Sequence, residues 1–157
     1  LVSVTIEYVI LIPLLFTTVI VFPLVAERMT SEHQESQLSI ELQSVADHMA
    51  STVQQLYLTV NAEDILTGTV TQSSPVPTTV GNFPYTVEGQ LSSPDGSARV
   101  FTAFLTLDDI GNTVSASVVL GPNVLWDDST LRSTSVDASI IVDKYSNGTL
   151  GFSFGGS

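Results

Sequence analysis

The chain has 157 residues, with 16 Asp+Glu against 4 Lys+Arg for a formal charge of −12, yet 43% of its residues are hydrophobic and its mean hydropathy is +0.35. That length is about one ordinary domain; four scattered cations (Arg28, Arg99, Arg132, Lys144) make no phosphate-neutralising patch, which excludes nucleic-acid binding and disfavours anionic lipid headgroups as a docking surface. With no cysteine there is no disulfide framework, thiolate metal site, Cys nucleophile or c-type haem attachment.

The first segment carries one charge in its first 26 residues, Glu7, and is uncharged from Tyr8 to Ala26. At about 1.5 Å per helical residue this run reaches roughly 28 Å, close to the hydrocarbon thickness of a bilayer. No Lys or Arg precedes it, so the chain reads as a mature one beginning at or near Leu1, with any basic leader removed. Pro13 and Pro23 each delete a backbone donor and crowd the turn before them, which predicts a kinked or loosened helix at both.

Beyond Arg28 the helical period continues in a different composition. Leu38, Leu42, Val45, Met49, Val53, Leu56 and Val60 make a narrow apolar stripe, with Glu35, Gln37, Glu41, Gln43, Asp47 and Gln54 on the other faces. The expectation is one helix from about residue 3 to about residue 58, apolar all round in its first half and amphipathic in its second.

From Asn61 the period becomes two. Strands are predicted at 83–91, 98–107, 113–120, 135–145 and 149–154, with a weaker one at 65–71. Turn signals lie at Pro94-Asp95-Gly96, at 108–112 and at Asn147-Gly148, the last reading as an Asn-Gly hairpin. Ser and Thr, about a quarter of the chain, alternate with apolar residues and so predict the polar face of a sheet. The fold class is therefore α+β: a long N-terminal hydrophobic helix followed by an antiparallel β-sandwich head. Residues 1–60 form the helix, hydrophobic over 1–26 and amphipathic over 27–60, and 61–157 the head.

Two readings of Glu7 stand open. It marks the membrane-water boundary of a single-span anchor, or its charge is met by another copy, most naturally by a free α-amino group at Leu1. The run Thr5-Ile6-Glu7-Tyr8-Val9-Ile10-Leu11-Ile12-Pro13-Leu14-Leu15-Phe16 resembles the N-terminal segment of the type IV filament superfamily, closest to its Tad branch of Flp-type and TadE-like pilins. Glu7-Tyr8 matches the Glu-Tyr pair, and Pro13 the proline six residues after the glutamate. The superfamily glutamate is usually fifth in the mature chain and here is seventh. Flp-type pilins are short and nearly all helix, and the β-rich remainder looks more like archaeal type IV pilins and archaellins.

The resemblance implies a major pilin: a structural subunit of an extracellular, cell-surface filament of identical copies. Its helices pack in the filament core, with Leu1, Glu7 and Tyr8 at subunit docking and Pro13 and Pro23 where the helix bends. It further implies membrane insertion before assembly, and a prepilin peptidase and an assembly ATPase with its membrane platform as partners. The alternatives are a single-span membrane-anchored surface protein with a ligand-binding β-sandwich domain, or a minor pseudopilin of the same superfamily.

Other candidates are weaker. Asn147-Gly148-Thr149 fits the N-glycosylation pattern as well as a turn, which makes Asn147 a glycosylation candidate. Asp108-Asp109 with Asn112, and Asp127-Asp128 with Ser129, lack the spacing of a calcium loop and read as solvated acids. His33 and His48 lie about 22 Å apart at helical rise and cannot share a metal within one chain. Trp126 reads as a core anchor at a strand end or as an exposed adhesive aromatic. No catalytic arrangement, metal site or cofactor-binding loop stands out, so neither an enzyme nor a cofactor is expected.

Overall fold

The computed structural model describes residues 15–74, 76–93 and 96–156. A π-helical turn, Thr17–Val21, runs directly into helix α1, Phe22–Val60. Eight strands follow: β1 Gly68–Ser73, β2 Tyr85–Ser92, β3 Arg99–Leu107, β4 Thr113–Leu120, β5 Val124–Trp126, β6 Thr130–Arg132, β7 Ser139–Lys144 and β8 Leu150–Gly155. The chain is thus α+β, with one N-terminal helix and two four-stranded sheets ordered β1-β7-β8-β5 and β4-β3-β2-β6. It divides into two compact units, 1–37 and 38–157, and the division falls within α1.

In the second unit the helical stripe is buried as its spacing predicts. Leu42, Val45, Met49, Val53, Leu56 and Val60 are joined by Ala46 and Ala50 in one core with both sheets, and Leu38 packs at its margin. The alternation in β3 is equally plain: Phe101, Ala103, Leu105 and Leu107 are buried, while Thr102 and Thr106 face outward. Those two threonines bond across to Ser117 and Thr113 of β4 at 2.8 and 2.9 Å, so part of the Ser/Thr excess forms a hydrogen-bonded outer face.

The sheets meet at an aromatic cluster. Trp126 of β5 lies 4.6 Å from Phe101 of β3 and 4.8 Å from Phe154 of β8, ring centre to ring centre. Ser129, between β5 and β6, ties this crossing down: its Oγ accepts from the Phe154 amide at 2.7 Å and donates to the Asp127 carbonyl at 3.0 Å.

Three expectations need correction. The sheets are not wholly antiparallel, because β5 pairs with β8 in parallel. Strands β5 and β6 have three residues each, too few to display a period of two. The helix is not apolar enough over its described residues to be the expected membrane span, although the change to charged residues from Glu27 onward within α1 falls where the sequence placed it. Among the described residues no helix is long and apolar enough to cross a membrane. The expected span, 8–26, lies partly outside them.

Candidate functional site

Leu1, Glu7, Tyr8 and Pro13 lie outside the described residues, so the docking constellation is not among the placed side chains. Pro23 is placed. It is the second residue of α1, directly after the π-helical turn. Its ring offers no N–H and crowds the carbonyl one turn back, and an i to i+5 hydrogen-bonding turn at that place accommodates both effects.

Around Pro23 the first unit presents apolar side chains to solvent. Leu15, Phe16, Val19, Ile20, Val21, Phe22, Leu24, Val25 and Met29 are all exposed, Phe22 at 72%. Residues 19–22 are four apolar positions in succession, enough to go round a helical turn, so this stretch has no polar face to turn toward water. Further along, Thr30 and Ser31 bend their hydroxyls back to the Ala26 and Glu27 carbonyls at 2.8 and 3.0 Å, and Glu32, His33 and Glu35 are exposed. The apolar surface therefore ends where the polar one begins, near Glu27.

The second unit places the remaining candidates separately. Asn147 is exposed in the β7–β8 connection, where the Tyr145 amide donates to the Thr149 carbonyl and the Gly148 amide to the Tyr145 carbonyl, both at 2.9 Å. Gly148 has φ +80° and Asn147 is not in the left-handed region. The turn is thus a three-residue loop, Ser146-Asn147-Gly148, rather than the two-residue Asn-Gly hairpin read from the sequence. The sequence signal located the turn, and the glycine alone meets its backbone requirement.

Asp108, Asp109, Asp127 and Asp128 are exposed, and Asp108 accepts from the Thr86 hydroxyl at 2.8 Å. Exposed His33 and His48 join no metal-holding group; among the described residues no three His, Asp or Glu side chains are arranged to hold an ion. Trp126 is half-buried in the cluster described above, where it serves as a packing residue.

Two structural residues escaped the sequence reading. Lys144 donates to the Val60 and Ala62 carbonyls at the end of α1, and a contact so distant in sequence leaves no local pattern. Gly89 lies beneath Trp126, and the available signal was a glycine inside an otherwise regular strand.

No family model matches the chain, and neither a curated protein nor a solved structure matches it.

Proposed function

We propose that the protein is a structural subunit of an extracellular type IV-like filament, polymerising through its N-terminal helix and presenting its two-sheet unit as the outer surface. The observation that carries this reading is the apolar surface from Leu15 to Met29, whose nine large side chains are exposed in the single chain. Surface of that kind marks an interaction site, and a helix apolar in every direction is satisfied by several identical neighbours at once. Heterologous contacts that do not close on themselves propagate as a helical polymer. These side chains are roughly half exposed, so at about 1.5–3 kcal/mol per fully buried residue the gross gain is on the order of 10 kcal/mol per subunit before ordering costs.

The resemblance of Glu7-Tyr8 and Pro13 to type IV pilins adds the polarity of assembly. Glu7 would neutralise a neighbour's amino terminus in a core with no water to solvate it, and the acidic exterior would discourage lateral clumping. The membrane holds the subunit before assembly, and an ATP-driven platform supplied by other proteins extracts it.

Negative-stain electron microscopy of material sheared from cells, with immunolabelling against this chain, tests the reading. Labelled filaments are expected. Recovery of the chain only as a detergent-soluble monomer overturns it in favour of the single-span surface protein. Phe22→Asp should abolish filaments while residues 38–157 keep their fold, since Phe22 lies outside that unit. Glu7→Gln should reduce assembly, and undiminished assembly would refute charge pairing as a requirement.

A further inference from the structure

We propose that Asn147 is the acceptor of an N-linked glycan at the tip of the β7–β8 loop. Of the five asparagines, at 61, 82, 112, 123 and 147, only Asn147 stands two residues before a Ser or Thr with no proline between. The structure adds three observations to that pattern.

First, Asn147 is exposed, and so are Tyr145 and Ser146 before it. A Cβ built on Gly148 would meet nothing within 4 Å, so a bulky substituent has open space on that side of the loop. Second, the carboxamide is oriented. Its Oδ1 accepts from the Thr149 amide at 3.0 Å, and its Nδ2, the atom that would carry the sugar, makes no hydrogen bond among the described residues. Third, the loop does not need asparagine for its backbone, because the left-handed position belongs to Gly148. The turn therefore explains the glycine and leaves the acceptor side chain available.

The step is a glycosyl transfer from a lipid-phosphate-linked oligosaccharide. Nδ2 attacks the anomeric carbon; a C–N bond forms, the bond from that carbon to the phosphate oxygen breaks, and the lipid phosphate leaves. The Nδ2 proton passes to a base of the transferase. The competing reaction of an Asn-Gly pair is deamidation, in which the Gly148 nitrogen attacks the Asn147 side-chain carbonyl. Here the Gly148 N–H is held by the Tyr145 carbonyl at 2.9 Å, which keeps that nitrogen engaged.

The inference rests on the export assumed in the proposed function, since the donor lipid is used across a membrane. The experiment is mass spectrometry of native protein from separate surface and cytosolic fractions, with peptide mapping of 145–156, beside the Asn147→Asp and Thr149→Val variants. The Asn147→Asp carboxylate retains an oxygen for the Thr149 amide and so preserves the turn, but it has no Nδ2. The expected result is a hexose-containing mass increment on the surface-derived peptide, lost in both variants. Surface protein carrying an unmodified Asn147, or only the +1 Da mark of deamidation, overturns the inference and leaves the filament reading standing. Protein found only in the cytosol and unmodified overturns both.

Discussion

The Lys144 ammonium donates to the Val60 carbonyl at 2.8 Å, and to the Ala62 carbonyl at the same distance, so the end of β7 closes the C-terminal end of α1. The last carbonyls of a helix have no intrahelical partner and carry the negative end of its dipole, which makes a cation the fitting cap. No basic residue lies in the last turn of the helix itself, and the cap comes instead from a strand 84 residues away. Replacing Lys144 by Met keeps most of the apolar stem and removes the donors. The expected loss is about 1–3 kcal/mol, read as a lower urea midpoint with an unchanged m-value. An unchanged midpoint would mean that water caps those carbonyls equally well.

The helix offers a contrast between its opposite faces, since nine residues at about 100° each carry Ile40 half a turn away from Met49. Met49 is wholly buried and Ile40 is 68% exposed, although the two are similarly apolar. Met49→Ala should cost about 2–5 kcal/mol through lost transfer energy and a cavity. Ile40→Ala should stay within about 0.5 kcal/mol of the parent. Equal losses at both positions would show that the face around Ile40 is also covered in solution.

How much of this was legible in the sequence depended on the length of each element. The stripe from Leu38 to Val60 repeats its period often enough to reveal the buried face residue by residue, and β3 and β4 alternate long enough to reveal theirs. Strands β5 and β6 are held by pairing with β8 and β2, partners distant in sequence, and leave no periodic trace of their own. The charge pattern placed the polar boundary near Glu27 correctly, but the apolar run read as a membrane span from residue 8 is described only from Leu15 onward. Asn147 was legible as a motif. Its turn geometry was not, because an Asn-Gly pair is compatible with both the two-residue and the three-residue loop.

Tyr85 makes the stability sensitive to alkali. Its ring is wholly buried, its hydroxyl donates to the Pro77 carbonyl, and its backbone exchanges hydrogen bonds with Ser133. Burial pushes the hydroxyl up to about 12 from the ordinary 10.0. The unfolded chain therefore loses this proton first, and the folded state is penalised as soon as the pH exceeds the unfolded value. Stability from this group is full below pH 10 and falls as pH rises from 10 toward 12, by roughly 2–3 kcal/mol at most. Urea midpoints measured at pH 9 and pH 11 should show the decline, and Tyr85→Phe should flatten it at a cost of about 1 kcal/mol at neutral pH. A decline of the same size in the Phe variant would assign the alkaline sensitivity to other groups.

Gly89 of β2 and Trp126 of β5 pack directly against each other across the two sheets. A Cβ added at Gly89 would stand 2.1 Å from the Trp126 ring, which also packs against Phe101 and Phe154 at 4.6 and 4.8 Å between ring centres, so the ring has little room to yield. Gly89→Ala should therefore cost at least about 1–3 kcal/mol, despite alanine's better fit to an ordinary strand backbone. The indole Nε1 is buried without a hydrogen-bond partner among the described residues, so Trp126 is kept there for shape rather than for its polar atom. Trp126→Phe removes that unsatisfied donor and the ring atoms nearest Gly89 together, and its own cost should fall below that of an ordinary large-to-small core substitution. The two changes must then be non-additive. In a double-mutant cycle, Gly89→Ala should be markedly less destabilising when combined with Trp126→Phe than alone, by about 1 kcal/mol or more. Additive costs would show that the sheet separation, and not the indole, sets the space above Gly89.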